Sequence, residues 1–185
     1  MLPLSPADQL TVARALSVPI VVVLFAWDFP NHYYWATAAF CVAMTTDFFD
    51  GKLARRHGRT SPLGSLLDPI ADKTLVLAAL VMLVGERVVP AWMVAAIVVR
   101  EVLITGLRQA AIERGVVIAA RDLGKVKTWA QAVGAGLAGF AAAGAWSHRV
   151  GWWGLLVAVV LTWVSGLDYA RNAPALLRGR SSIAG

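Results

Sequence analysis

Residues 47–73 read DFFDGKLARRHGRTSPLGSLLDPIADK and place four aspartates and several cations between two strongly apolar runs. The rest of the chain is apolar, because 58% of its 185 residues are hydrophobic and the mean hydropathy is +0.66. A carboxylate at the centre of a membrane helix costs roughly 2.5 to 3.5 kcal/mol on insertion scales. The stretch is therefore either a compensated site at a membrane boundary or a solvated loop whose acids pair with neighbouring cations.

Six apolar runs follow one another along the chain, each near the roughly 20 residues that a spanning helix requires. We therefore predict an all-α, polytopic membrane protein with six transmembrane helices and a single domain over residues 1–185. A short interfacial helix within residues 1–16 is expected to lead into the first span. The runs cover about residues 10–27, 33–49, 66–85, 89–112, 126–146 and 150–170.

The positions of the cations predict the orientation of these spans. If both termini face the cytoplasm, only Arg87 and Arg149 of the 17 lysines and arginines lie outside, as the positive-inside rule requires. The net charge of +6 suits membrane lipids with anionic headgroups or anionic substrates. Nucleic acid is a poor alternative, because the basic residues flank spans and no soluble binding module is present.

The four aspartates of the quoted stretch fall on two predicted helical faces. Helix positions three, four and seven apart share a face. Ser61 and Pro62 are typical of the N-cap and first position of a helix, and the short linker would let the two faces meet as an antiparallel hairpin. The first face contains Asp47, Asp50, Gly51 and Ala54, and the second contains Gly64, Asp68 and Asp72.

Hard divalent cations with oxygen ligands would offset both the burial cost and the mutual repulsion of these carboxylates. Two such ions, held by shared carboxylates, can clamp a phosphoryl group. Mg²⁺ or Mn²⁺ fits this ligand set, whereas Zn²⁺ does not, because His57 is the only nitrogen or sulfur ligand nearby. The small residues would let a ligand lie against the backbone, and Arg55 could reach a pyrophosphate through two hydrogen bonds.

The pattern DxxDGxxARx₈GxxxDxxxD over residues 47–72 resembles the signature of the CDP-alcohol phosphatidyltransferases at every defined position. The resemblance implies a homodimeric six-helix bundle in a bacterial inner membrane, with two divalent ions in an active site that faces the cytoplasm. It also implies the role of each residue. Asp47, Asp50, Asp68 and Asp72 would bind the metals, Asp72 would also be the general base, and Asp47, Gly51, Ala54, Arg55 and Gly64 would bind CDP-diacylglycerol.

Residues 99–131, VREVLITGLRQAAIERGVVIAARDLGKVKTWAQ, favour an acceptor that itself bears a phosphate. Glu101, Thr105 and Arg108 form a polar stripe on an otherwise apolar helix, and intramembrane polar residues are usually functional. Two lysines begin the next helix, where they oppose the helix dipole and so favour a bound anion over bare stability. Cytoplasmic anchors are the alternative for these cations. The predicted acceptor-phosphate residues are Thr11, Arg14, Arg100, Thr105, Arg108, Lys125 and Lys127.

This segment and LTVAR at residues 10–14 are similar to the phosphatidylglycerophosphate synthases within the family. That similarity implies transfer of the phosphatidyl group from CDP-diacylglycerol to glycerol 3-phosphate, with release of CMP, in phosphatidylglycerol and cardiolipin biosynthesis. The same chemistry with inositol phosphate, serine or phosphatidylglycerol as acceptor stays open. Alternatives from other classes are a divalent-cation transporter that uses the four aspartates and an intramembrane prenyltransferase.

Small residues recur four apart in the fifth run, in VGAGLAGFAAAG at residues 133–144. Such a pattern lets helix backbones approach closely. It predicts either helix packing within the monomer or a dimer interface.

Overall fold

The computed structural model describes the backbone of residues 6–54, 62–113 and 122–178, and the side chains of residues 12–46, 71, 73–113 and 124–171. The described chain is all α-helical, as predicted, and each helix contains most of one apolar run. The helices are α1 (Pro6–Ala26), α2 (His32–Ala54), α3 (Pro62–Gly85), α4 (Ala91–Glu113), α5 (Asp122–Ala142) and α6 (His148–Arg178).

Prolines and turn residues set several of these helix ends. Pro62 is the first residue of α3, as the sequence predicts, because proline lacks the N–H that the first turn leaves unpaired. Arg87 and Gly144 adopt left-handed conformations, with φ of 57° and 81°, in the turns after α3 and α5. These turns reverse the chain within a few residues, so that α4 runs antiparallel to α3 and α6 antiparallel to α5.

The amino-terminal helix differs from the prediction of a separate interfacial segment. Residues 6–16 are continuous with the first apolar run, in one helix that ends at Ala26. The physical reason is that residues 7–18 contain neither proline nor glycine, so nothing in this stretch interrupts the helix.

The helix packing places α1 against both α2 and α3, while α5 contacts α6, α2 and α3. Helix α4 lies against α6 and α3. Leu75, Leu80 and Leu83 of α3 are fully buried, together with Phe40 of α2 and Leu155 of α6. The apolar core therefore lies along the middle and carboxyl-terminal part of α3, after Asp68 and Asp72, which lie in the first half of this helix.

The small residues of α5 bring its backbone close to two neighbours. A Cβ added at Gly134 would lie 3.2 Å from the carbonyl oxygen of Gly154 in α6, and one added at Gly139 would collide with Thr37 of α2. Ala138 is fully buried. The stripe therefore serves packing within the monomer, the first of the two alternatives that its spacing allows.

Many large apolar side chains point away from the core. Leu16, Val42, Val102 and Trp153, on four different helices, are each at least 60% exposed. Among the described residues, one helix segment, His148–Arg171, has the length and hydropathy of a membrane span, with a mean hydropathy of 1.8. Val12–Ala26 and Lys73–Gly85 are shorter apolar segments. An exposed apolar surface of this extent is typical of contact with lipid or another protein.

Candidate active site

The helical spacing of the aspartate motif is present in the structure. Asp47 and Asp50 lie in α2, which continues without interruption to Ala54. Asp68 and Asp72 lie in the first half of α3. Their side chains, like that of Thr11, lie outside the described part of the chain, as do the surroundings of Gly51, Ala54 and Gly64 and the whole of Arg55. The metal-ligand and CDP-binding assignments therefore stay predictions.

A buried polar network begins at Glu101, immediately beside Arg100 in α4. Glu101 is 5% exposed, and its Oε1 accepts hydrogen bonds from Arg100 Nη1 at 3.1 Å and from Lys127 Nζ of α5. Gln131 Nε2, one turn further along α5, lies 3.5 Å from the same oxygen. One carboxylate oxygen thus joins α4 to α5 through the cation of Lys127 and the amide of Gln131, and it also pairs with Arg100 on its own helix.

The same network extends to α6. Arg100 Nη2 donates a hydrogen bond to Ser165 Oγ at 3.0 Å, and Gln131 Nε2 donates one to Thr162 Oγ1 at 2.8 Å. Gly166 leaves space for the guanidinium, because a Cβ at this position would lie 3.0 Å from Arg100 Nε. Serine and threonine three residues apart on α6 therefore hold the inner side of the network.

Lys73 connects the network to the helix of the second aspartate pair. Its Nζ lies 3.4 Å from Glu101 Oε2 and donates a hydrogen bond to Thr105 Oγ1 at 2.7 Å. The Lys73 side chain is 39% exposed, and Thr105 is exposed. Since Lys73 directly follows Asp72, this contact ties the aspartate-bearing part of α3 to the polar stripe of α4 at the accessible edge of the network.

The charges of the network do not cancel. Among the described side chains, three cations, Lys73, Arg100 and Lys127, surround the single carboxylate of Glu101, which leaves two surplus positive charges. Burial of a charge without a partner is strongly unfavourable, so a protein retains such a surplus where an anion compensates it. The arrangement can therefore bind a dianion at its exposed edge, beside Lys73.

The predicted acceptor-phosphate residues are only partly brought together. Arg100, Thr105 and Lys127 belong to the Glu101 network, whereas Arg108 is exposed with its guanidinium 5.8 Å from the centre of the Tyr169 ring. Arg14 of α1 is 7% exposed, and Lys125 lies on the surface at the start of α5.

Several members of the network were absent from the sequence prediction of the site. Glu101 enters that prediction only within the polar stripe, and Lys73 only as a cytoplasmic cation. Gln131, Thr162 and Ser165 carried a detectable signal, since they are polar positions within apolar helices. Their partners could not be identified without the packing of α4, α5 and α6.

Known proteins resemble this chain over most of its length. The sequence pattern of the CDP-alcohol phosphatidyltransferase family matches residues 4–164. The CDP-diacylglycerol–glycerol-3-phosphate 3-phosphatidyltransferase of Bacillus subtilis (strain 168) is 40% identical over 138 residues, which are 68% of this chain and 72% of that protein. A probable phosphatidylglycerophosphate synthase of Mycobacterium tuberculosis (strain ATCC 25618 / H37Rv) is 38% identical over 170 residues, 90% of this chain and 80% of that protein.

A third relative covers the chain almost completely. The CDP-diacylglycerol–glycerol-3-phosphate 3-phosphatidyltransferase of Blochmanniella floridana is 37% identical over 177 residues, which are 91% of this chain and 90% of that protein. The matched region of the family pattern includes the aspartate motif and every member of the Glu101 network except Ser165. The chain therefore belongs to the CDP-alcohol phosphatidyltransferase family.

Proposed function

We propose that this protein transfers the phosphatidyl group of CDP-diacylglycerol to glycerol 3-phosphate, which yields phosphatidylglycerophosphate and CMP. The observation that carries the proposal is the doubly positive network around Glu101, joined through Lys73 to the helix of Asp68 and Asp72. Relatives at 37 to 40% identity bear the name of this activity. Their names specify transfer of a phosphatidyl group, which favours this function over the cation transporter and the prenyltransferase.

The aspartates fit a pair of hard divalent cations, because their donor atoms are oxygens alone and their helices bring them to i, i+3 and i, i+4 positions. Asp47, Asp50, Asp68 and Asp72 would hold two Mg²⁺ or Mn²⁺ ions. Bound there, such ions neutralise the charge that develops on the phosphoryl oxygens. Asp47, Gly51, Ala54, Arg55 and Gly64 would hold the CDP part of the lipid substrate.

The reaction exchanges one phosphate ester bond for another. The hydroxyl oxygen of the acceptor forms a bond to the phosphorus that carries the diacylglycerol, and the bond from that phosphorus to the CMP oxygen breaks. Asp72 accepts the proton of the attacking hydroxyl. CMP leaves, and the lipid phosphate stays on the acceptor.

The charge of the network supports a phosphate monoester as acceptor. Glycerol 3-phosphate carries a charge of about −1.5 to −2 near neutral pH, as other phosphate monoesters do, and the network offers two surplus positive charges. Phosphatidylglycerol is a diester with a single charge, and serine has no net charge. Inositol phosphate has the same charge as glycerol 3-phosphate, and the names of the relatives favour glycerol 3-phosphate.

Access to this acceptor site would come from the exposed edge of the network. Lys73 and Thr105 are its accessible members. Lys73 follows the proposed general base Asp72 in the sequence, lies 3.4 Å from Glu101 Oε2 and donates a hydrogen bond to Thr105. Arg108 and Lys125 would draw the anion towards this edge from the surface, while Thr11 and Arg14 would close the site from α1. Arg100 and Lys127 would act from the inner side.

The membrane arrangement belongs to the same proposal. The family is membrane-embedded, and the exposed apolar side chains on α1, α2, α4 and α6 are suited to lipid. We infer that all six helices span a bacterial inner membrane, that the aspartates face the cytoplasm, and that two copies form a homodimer. Arg100 and Glu101 interrupt the apolar run of α4. In this arrangement, their pairing with each other and with Lys127 would reduce the cost of placing them within the membrane.

The decisive experiment measures CMP release by the purified protein with CDP-diacylglycerol, Mg²⁺ and one acceptor at a time. Glycerol 3-phosphate is expected to support turnover, and Asp72→Asn is expected to abolish it while the unfolding temperature is retained. Turnover with inositol phosphate but not with glycerol 3-phosphate would show that the acceptor assignment is wrong. Full activity of Asp72→Asn would contradict the assignment of Asp72 as the general base.

A further inference from the structure

A cavity of about 490 Å³ opens at the end of the bundle opposite the aspartates. It lies where α3 ends and α4 and α6 begin, whereas the aspartates lie at the end of α2 and in the first half of α3. Its polar lining comes from Arg87, His148 and Arg149, and its apolar lining includes Trp152 and the residues of the turn between α3 and α4. The volume falls within the roughly 300 to 1,000 Å³ of typical ligand sites.

The lining of this cavity is cationic. Arg87, His148 and Arg149 are exposed, and in the described part of the chain no carboxylate lines the cavity. Glu86 is adjacent to Arg87 in sequence, but its Oε2 accepts a hydrogen bond from Tyr33 Oη of α2 instead. The two guanidiniums therefore face the cavity with a positive charge that the lining residues do not compensate.

The predicted membrane orientation also sets these two arginines apart from the other cations. Arg87 and Arg149 are the two cations that the predicted orientation places on the outer side, against fifteen of the 17 lysines and arginines on the inner side. Cations in short outer loops oppose the usual charge bias of membrane insertion. The structure brings both exceptions, which are 62 residues apart in the sequence, to one cavity. A shared anionic ligand accounts for their common position.

The chemistry of the lining indicates the ligand. Guanidinium groups bind phosphate oxygens through paired hydrogen bonds, and the amino-terminal ends of α4 and α6 add positive helix-dipole ends on the same side. Trp152 and the apolar wall suit the region where headgroup meets acyl chain. We propose that this cavity binds the phosphate headgroup of an anionic phospholipid of the outer leaflet, at a site separate from the catalytic centre.

The test measures binding of phosphatidylglycerol and of phosphatidylcholine to the full-length protein in neutral detergent, by native mass spectrometry. The wild-type protein is expected to prefer phosphatidylglycerol. Arg87→Gln combined with Arg149→Gln should weaken phosphatidylglycerol binding by about 30-fold, since each cation near an anionic lipid contributes about 1 kcal/mol. Phosphatidylcholine binding should change little. Arg171→Gln, which removes an exposed cation near the other end of α6, is the matched control and should retain the preference.

Two further measurements separate the possible outcomes. The double variant should unfold at the wild-type temperature without added lipid, and Arg87→Lys with Arg149→Lys should retain part of the preference because the charge remains. Unchanged phosphatidylglycerol binding by the double glutamine variant would overturn the proposal. So would displacement of the lipid by inorganic phosphate at millimolar concentration, which would make the ligand a soluble phosphate. Because the readout is lipid binding, either result is independent of CMP release and of the proposed transferase activity.

Discussion

At the scale of single residues, Glu101 has the largest electrostatic role among the described side chains. Within the part of the chain whose side chains are described, it is the one acid in a cluster with the buried Arg100 and Lys127 and the partly exposed Lys73. The carboxylate does not neutralise the cluster, but it reduces the repulsion among three cations enough for them to lie together. Its physical effect is therefore to hold a doubly positive site in place before any anion arrives.

Replacement of Glu101 by glutamine should destabilise the protein, because the shape is kept while the buried cations lose their counter-charge. We expect the free energy of unfolding to fall by roughly 3 to 5 kcal/mol, measured by denaturation in detergent. Glu113→Gln, on the exposed end of the same helix, should change it by less than about 0.5 kcal/mol. Addition of Lys127→Gln to the Glu101 variant should restore part of the loss. A double variant less stable than Glu101→Gln alone would contradict this electrostatic account.

At the scale of helices, α5 links the polar network to the rest of the bundle, since it contacts α2, α3 and α6. Its small residues allow the close approach to α6 that brings Gln131 within hydrogen-bond distance of Thr162. The apolar face and the polar network thus depend on the same helix contact. A change that separates α5 from α6 is expected to disturb both.

Gly151→Ala should separate these two helices. The added Cβ would lie 2.7 Å from the Cα of Ala138 in α5, and a backbone atom cannot move aside as a side-chain end can. We expect a loss of roughly 1 to 3 kcal/mol of stability, typical of overpacking, in the same denaturation measurement. Gly106→Ala in α4 is the matched control, because a Cβ there meets nothing within 4 Å. Its effect should be neutral or stabilising by up to about 1 kcal/mol. Equal effects of the two substitutions would refute the packing explanation.

At the scale of the whole molecule, the two ends of the bundle differ in charge and in chemistry. One end contains the aspartates and the exposed edge of the Glu101 network, and the other contains the cavity with Arg87 and Arg149. Between them lies an outer surface with many exposed valines, leucines and tryptophans. This distribution suits a bilayer whose two faces contact opposite ends of the protein.

The orientation can be tested with single cysteines, because Cys41 is the only native cysteine. In a Cys41→Ser background, Ser147→Cys in the turn before α6 should react with a membrane-impermeant maleimide in intact cells. Glu113→Cys at the end of α4 should react only after the membrane is permeabilised. Both positions are exposed in the structure, so a missing reaction reports sidedness rather than burial. The reverse labelling pattern would invert the proposed topology.

The sequence alone determined the all-α class, the order and approximate positions of the helices, and the spacing of the aspartates along α2 and α3, whereas α2 and α6 continue to Ala54 and Arg178, beyond the predicted runs. These properties depend on local hydrophobic runs, proline positions and helical periodicity, which are visible over short stretches. The interfacial helix was the local exception, because the sequence between it and the first span contains no residue that breaks a helix.

Only the tertiary structure decided which charges meet. The contacts of Arg100 with Ser165 and of Glu101 with Lys127 join residues 65 and 26 positions apart. The cavity brings Arg87 and Arg149 together where α3 ends and α4 and α6 begin. Periodicity within one helix states which face a residue occupies, but not which face of another helix lies opposite. That pairing follows from how closely the helices approach, and between α5 and α6 the glycines at positions 134, 151 and 154 set this distance.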